Sequence, residues 1–252
     1  MSFFCKNSQN ELFMIDKIKN TIAKLPLGYV FTTTDFPTAV ENPKQVNKIL
    51  NTLVAEGTLR KLSKGRFYKP QIGKFGELPP DTYQIVKDLL ENEGKIIGYL
   101  TGYTAFNDLG LTTQIPATLQ IGTRREKKVI TRNIYQIRFV KQENVITKEN
   151  IPLLRLLDCL RFFKEIPDTM PDTACRRLLI LFRQLLPEQI PVIKRLSLKY
   201  NPATIALLGA IFETINSEEN TIMLSKKLNP ITIYKLNISP EVLPTQKKWN
   251  IQ

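Results

Sequence analysis

The chain has 252 residues, 42% hydrophobic and 23% charged, an ordinary composition for a globular protein with a real core and enough length for two modest domains. Its 36 Lys and Arg against 23 Asp and Glu leave a formal charge of +13, which points to nucleic acid first, an acidic protein second and a membrane surface third. Histidine is absent, and this excludes Ser-His-Asp and Cys-His catalysis, His-ligated metal sites and His-dependent nucleases. Cys5, Cys159 and Cys175 are odd in number and too scattered for a zinc cluster, so they read as reduced thiols of a cytoplasmic protein. No stretch reaches the roughly 18 apolar residues of a membrane span, and the N-terminus lacks the basic-then-apolar pattern of a secretory signal.

Leu12, Ile15, Ile18, Ile22 and Leu25 recur at three- and four-residue steps and predict an amphipathic helix over 9–25, stopped by Pro26 and Gly28. YVFTTTDF follows as a short extended piece, with Thr33 or Thr34 placed to cap a short second helix through Val40. Asn42-Pro43 starts a third helix, Asn as the cap and Pro in the first turn. Its apolar stripe is Val46, Ile49, Leu50, Leu53 and Val54, and its opposite face carries Lys44, Gln45, Asn47, Lys48, Asn51 and Thr52, with Gly57 as the terminator. TLRKLSKGRFYKP then reads as a hairpin turning at Ser63-Lys64-Gly65.

Three helices followed by a basic hairpin is the order of a winged helix-turn-helix, whose third helix enters the major groove while the hairpin reaches phosphate. The candidate DNA-binding residues are therefore Lys44, Gln45, Asn47, Lys48 and Asn51 on the helix and Arg60, Lys61, Lys64 and Arg66 on the wing. Thr58–Lys74 holds six basic residues and no acid, a local positive field. Gly73, Gly76, Pro79 and Pro80 form a breaker cluster, which sets the domain boundary after residue 75.

Beyond it, Asp81–Glu93 reads as a helix, and Ala117–Gly122, Lys128–Thr131 and Ile134–Val140 as strands. From residue 148 leucine-rich helical patterns take over: 148–163, 172–186, 195–200 and 202–215. After about Asn220 the polar, proline-interrupted tail predicts one or two short strands and a mobile end. The expected architecture is α+β, with an N-terminal winged helix-turn-helix over 1–75 and a C-terminal domain over 76–252. Within the latter, 76–147 is mixed α/β and 148–252 mainly helical with a short β tail.

The stretches GYVFTTTDF and LVAEGTLRKLSKGRFYKP resemble the N-terminal domain of AbiEi-type transcriptional regulators, the antitoxins of type IV toxin–antitoxin systems. YLTGYTAFNDLGL, the Gln114-Ile115-Pro116 lead into a strand, and YNPATIALLGAIFE carry the resemblance to about residue 215. It implies a non-enzymatic regulator that represses its own operon by binding double-stranded operator DNA, self-associates on that DNA, and counters a nucleotidyltransferase-like toxin from the adjacent gene in phage defence.

Two rivals stand beside that reading. One is a stand-alone winged-helix transcription factor with a sensing or oligomerising C-terminal domain. The other is a Mg²⁺-dependent nuclease built on Asp108 with Glu126-Lys127-Lys128; a charged turn explains the same residues, and no catalytic residue, metal ligand or cofactor is expected. Tyr99, Tyr103 and Phe106 read as core rather than as a stacking platform. Arg124, Arg125, Lys127, Lys128 and Arg132 crowd a second hairpin and form a second basic surface, facing phosphate, an acidic partner or solvent alone.

Overall fold

The computed structural model describes the backbone of residues 2–39 and 42–252, and side chains over 12–39 and 42–252. It is a mixed α+β protein of two compact units, residues 1–87 and 88–252.

The first unit opens with α1 (Ser2–Lys24). Ile18 and Ile22 of this helix are fully buried, while Leu12 and Phe13 stay exposed. Strand β1 (Val30–Thr32) follows. The expected short second helix is instead two 3-10 turns, Thr33–Asp35 and Pro37–Ala39; Val40 lies outside the described residues. Pro37 supplies no N–H to continue a helix, and Asp35 closes the first turn by accepting from the backbone N–H of Thr32 at 2.6 Å and from its hydroxyl at 2.9 Å. Helix α2 (Pro43–Ala55) buries Val46, Ile49, Leu50 and Leu53. Pro43 sits in its first turn as expected, but the Asn42 side chain makes no capping bond and donates to Oε1 of Gln45 at 3.1 Å.

Strands β2 (Arg60–Ser63) and β3 (Arg66–Tyr68) form the expected hairpin, with β1 added antiparallel to β3 in the order β1-β3-β2. The turn is made possible by Gly65 at φ 73°. Phe31 meets Phe36 edge-on at 5.6 Å and stacks with Phe67 at 6.3 Å, which joins the sheet to the core of α1 and α2.

Residues of the breaker cluster are not a bare linker. They fold into a second hairpin, β4 (Gln71–Gly73) and β5 (Gly76–Leu78), and α3 (Thr82–Leu90) comes after it. Within the first unit, Glu77 accepts from Arg60 Nε at 2.8 Å and from Tyr68 OH at 3.1 Å. The backbone N–H of Val30 donates to Oε1 of Gln84 at 3.4 Å. These bonds explain why the unit extends through residue 87 rather than ending after residue 75.

The second unit begins with the small hairpin β6 (Glu91–Asn92) and β7 (Lys95–Ile96). It continues through β8 (Gly98–Thr101), α4 (Tyr103–Asp108), β9 (Thr118–Thr123), β10 (Ile130–Arg132) and β11 (Tyr135–Lys141). The four longer strands form one sheet, β10-β11-β9-β8, parallel only between β11 and β9. Helices α5 (Ile151–Arg161), α6 (Pro171–Arg183), α7 (Gln189–Ser197) and α8 (Pro202–Ile215) complete the core. α7 starts upstream of the expected 195–200, since Pro191 falls in its first turn, where N–H groups have no helical partner to lose. α8 is buried on every side from Thr204 to Glu213, the property of a central helix.

The C-terminal tail departs most from expectation. It holds a short helix α9 (Ile222–Ser225), a 3-10 turn at Gln246–Trp249 and a single bridge between Tyr234 and Ile251 in place of strands. Its end is packed: Leu243, Trp249 and Ile251 are buried in the core of the unit. Trp249 lies against Gly209 of α8, where a Cβ would meet the indole at 2.1 Å. Glu213 receives the Trp249 Nε1–H at 3.1 Å, Lys248 Nζ at 2.8 Å and the Thr221 hydroxyl at 2.6 Å. A glycine and a buried carboxylate on α8 thus form the socket of the tail.

Candidate nucleic-acid interface

The buried stripe of α2 decides which side of that helix is free. Lys44, Asn47, Lys48 and Asn51 are exposed, and Gln45 is half-buried beside Asn42. Asn51 Nδ2 donates to the Asn47 carbonyl at 2.7 Å, which leaves its Oδ1 to accept from Lys61 Nζ of β2 at 3.4 Å. This contact brings the polar face of α2 and strand β2 together in one surface. Lys64 stands exposed at the turn of the β2–β3 hairpin and Arg66 is half-buried at its return.

Arg60 departs from the expected phosphate-facing set. Its guanidinium is committed to Glu77 and to the carbonyls of Gly57 and Leu59 at 3.0 and 3.3 Å. Tyr68 shares Glu77, and burial first, then that carboxylate, raises its phenol pKa. The sequence pattern did not separate Arg60 from Lys61, because Glu77 comes from a hairpin seventeen residues on.

The second basic surface is divided. Arg124, Arg125, Lys127 and Lys128 are exposed in the loop between β9 and β10. Arg132 is not part of that surface: it is 3% exposed and pairs bidentately with Asp88 at 2.6 and 2.8 Å. The period-two alternation of a strand turns it inward, and a buried guanidinium needs such a partner. Asp108 is ion-paired with Arg155, and Glu126 is exposed in the same loop as Lys127. Among the described residues no three Cys, Asp or Glu side chains gather as a metal site. Tyr99 and Phe106 are buried core residues, as read.

The densest polar constellation lies elsewhere, in the second unit, and sequence spacing carries no trace of it. Asp158 of α5 is fully buried and accepts three hydroxyls: Tyr99 and Thr101 at 2.7 Å each and Tyr200 at 3.0 Å. Gln142 Nε2 donates to both tyrosine oxygens at 2.8 Å, and its Oε1 is held by Asn144. Because the amide spends both protons on the phenols, the Tyr99 hydroxyl donates to Asp158, and the Tyr200 hydroxyl donates to Asp158 at 3.0 Å with the Leu154 carbonyl as a longer alternative at 3.4 Å. Burial raises the Asp158 pKa, opposed by the three donors. The tyrosine ring reaches Asp158 by lying across its strand partner Gly122, where any Cβ would collide with it. Cys159 and Cys175 are buried free thiols; burial pushes the Cys175 pKa up to about 12, and Cys159 is also raised by burial. Such thiols are poor nucleophiles. The side chain of Cys5 lies outside the described residues.

A model of the DUF6088 family, described as a family of unknown function, matches residues 17–190. The chain belongs to this family. The match covers the helix-and-wing surface, the four-stranded sheet and the Asp158 network except Tyr200. No curated protein matches the chain. Among solved structures it is similar to the RV2827C protein from Mycobacterium tuberculosis, at 13% identity and a TM-score of 0.50, over 89% of this chain and 85% of that one. At that identity the likeness is one of fold. Among the described residues of this DUF6088 protein, no helix is long and apolar enough to cross a membrane.

Proposed function

We propose that this DUF6088 protein is a DNA-binding transcriptional regulator whose first unit is a winged helix-turn-helix. One observation carries the reading: the polar face of α2 and the cationic strand of the wing meet through Lys61 and Asn51. Asn and Gln suit adenine edges, while lysine suits guanine or phosphate. Lys61, Lys64 and Arg66 sit on a hairpin beside that helix, an arrangement suited to tracking the backbone next to an occupied groove. Self-association on DNA fits the same reading, since paired half-sites raise affinity through avidity.

The resemblance to AbiEi-type antitoxins extends the proposal: the protein represses its own operon and its second unit counters a nucleotidyltransferase-like toxin encoded next to it. The exposed cationic loop at Arg124, Arg125, Lys127 and Lys128 offers an acidic partner a complementary surface.

Fluorescence anisotropy with duplex DNA from upstream of its own gene tests the DNA reading. Each neutralised phosphate contributes about 0.9 to the slope of log K against log salt, so changing Lys64 and Arg66 to Ala is expected to flatten the slope by about two. An unchanged slope would remove the wing from the interface. Co-expression with the adjacent gene, scored for growth, tests the antitoxin reading; growth arrest that this chain does not relieve would sink it.

A further inference from the structure

The second hairpin of the first unit carries an aromatic side chain that no described residue of that unit covers. Strands β4 and β5 pair Gly73 with Gly76, so the loop between them is the dipeptide Lys74-Phe75. Phe75 is 103% exposed, and Ile72 on the same hairpin is 72% exposed. A phenyl ring held wholly in water at a loop tip is not explained by folding, since an aromatic side chain gains free energy from burial. Nor is the hairpin left loose at its base. Glu77 of β5 is bonded to Arg60 and to Tyr68, which pair with each other at the open end of the wing hairpin. The ring is therefore presented on a short strand pair tied to the β2–β3 hairpin.

We infer that Phe75 is a wedge that stacks on, or inserts between, DNA bases when the wing and α2 are bound. The inference rests on the DNA-binding reading and deepens it. Charge favours DNA as the occupant: the neighbour of Phe75 at the tip is Lys74, and the nearest carboxylate on the hairpin, Glu77, is neutralised by Arg60. A cation beside an apolar ring is the combination that minor-groove wedges use, the cation on phosphate and the ring between base steps.

The test uses the full chain, a short duplex from upstream of its own gene, and the same duplex carrying fluorescent aminopurine. Phe75→Ala is expected to weaken binding about 5- to 150-fold, the range for one stacked base. It is expected to leave the salt slope unchanged, because no charge is lost, and to abolish the rise in aminopurine fluorescence that unstacking produces. Phe75→Tyr should retain both affinity and signal. Lys74→Ala should lower the slope by about one. If Phe75→Ala binds as the parent does while Lys64→Ala/Arg66→Ala loses its slope, the wedge is wrong and the DNA reading stands. If Phe75→Ala changes only sedimentation behaviour, the ring faces protein and the inference is overturned. If the parent chain fails to bind the duplex at all, both fall together.

Discussion

Asp158 shows how much one residue organises in the second unit. It draws hydroxyls from β8 and from the turn after α7 onto α5, and Gln142 donates to the two tyrosine oxygens of the set. Asp158→Ala should leave the Tyr99 and Thr101 hydroxyls without their acceptor and Tyr200 with only the longer bond to the Leu154 carbonyl, and cost about 3–5 kcal/mol, read as a lower urea midpoint with unchanged slope. Tyr200→Phe removes one donor and should cost about 1–2 kcal/mol. Equal losses for the two variants would mean that the carboxylate is not the hub. Glu213 is the counterpart for the tail. Burial acts to raise its pKa, but the bonds from Lys248, Thr221 and Trp249 outweigh that and hold it below the ordinary carboxylate value. A lowered folded pKa means that the unfolded chain takes up the proton more readily. The stabilisation is therefore present above the ordinary carboxylate range and is lost as pH falls through it. Thermal melts from neutral to acidic pH should show this loss in the parent and a flatter profile in Glu213→Gln, with Trp249 fluorescence reporting release of the tail.

At the scale of elements, α2 is the one whose face assignment matters most. Gln45→Ala and Lys48→Ala are expected to cost about 1–3 kcal/mol on a specific operator and much less on mixed-sequence DNA. Leu50→Ala should instead lower stability by about 2–5 kcal/mol, since it opens a cavity in a fully buried position. Equal binding losses on both DNAs would demote α2 to a backbone contact. This helix was legible because its stripe follows the 3.6-residue period and Pro43 and Gly57 mark its ends; the wing was legible from its turn chemistry. The second hairpin was not, because Gly and Pro signal chain reversal and linkers alike, and only Glu77 reaching back to Arg60 and Tyr68 distinguishes them. The tail failed for a related reason. Its buried residues, Leu236, Ile238, Val242, Leu243 and Trp249, follow no single period, and their order depends on a socket made by Gly209 and Glu213 far back in the chain. Arg60 and Arg132 looked like their basic neighbours until the structure supplied their carboxylates.

The whole molecule divides at Lys87 and Asp88, and this division allows the two basic surfaces to be told apart. The fragment 1–87 retains the core around Phe31 and Leu50, the Glu77 bonds, the Val30–Gln84 bond and the placement of Lys87 over the Tyr29 ring at 5.2 Å. A domain of that size is small but viable, so it is expected to unfold cooperatively in urea. A fragment ending at residue 75 loses Glu77 and α3, leaves Arg60 and Tyr68 without their partner, and should unfold at a distinctly lower midpoint. The cations proposed to face phosphate on α2 and the β2–β3 hairpin, Lys44, Lys48, Lys61, Lys64 and Arg66, all belong to the longer fragment. Its salt slope per bound protomer on mixed-sequence duplex should therefore equal that of the full chain, even where loss of self-association weakens its affinity. A full-chain slope steeper by about 0.9 for each added phosphate contact would assign Arg124, Arg125, Lys127 and Lys128 to DNA. An equal slope takes that loop off the DNA, and under the proposed antitoxin role a charge-reversed loop should then lose toxin neutralisation in co-expression while binding DNA as before; unchanged neutralisation would leave the loop to solvent.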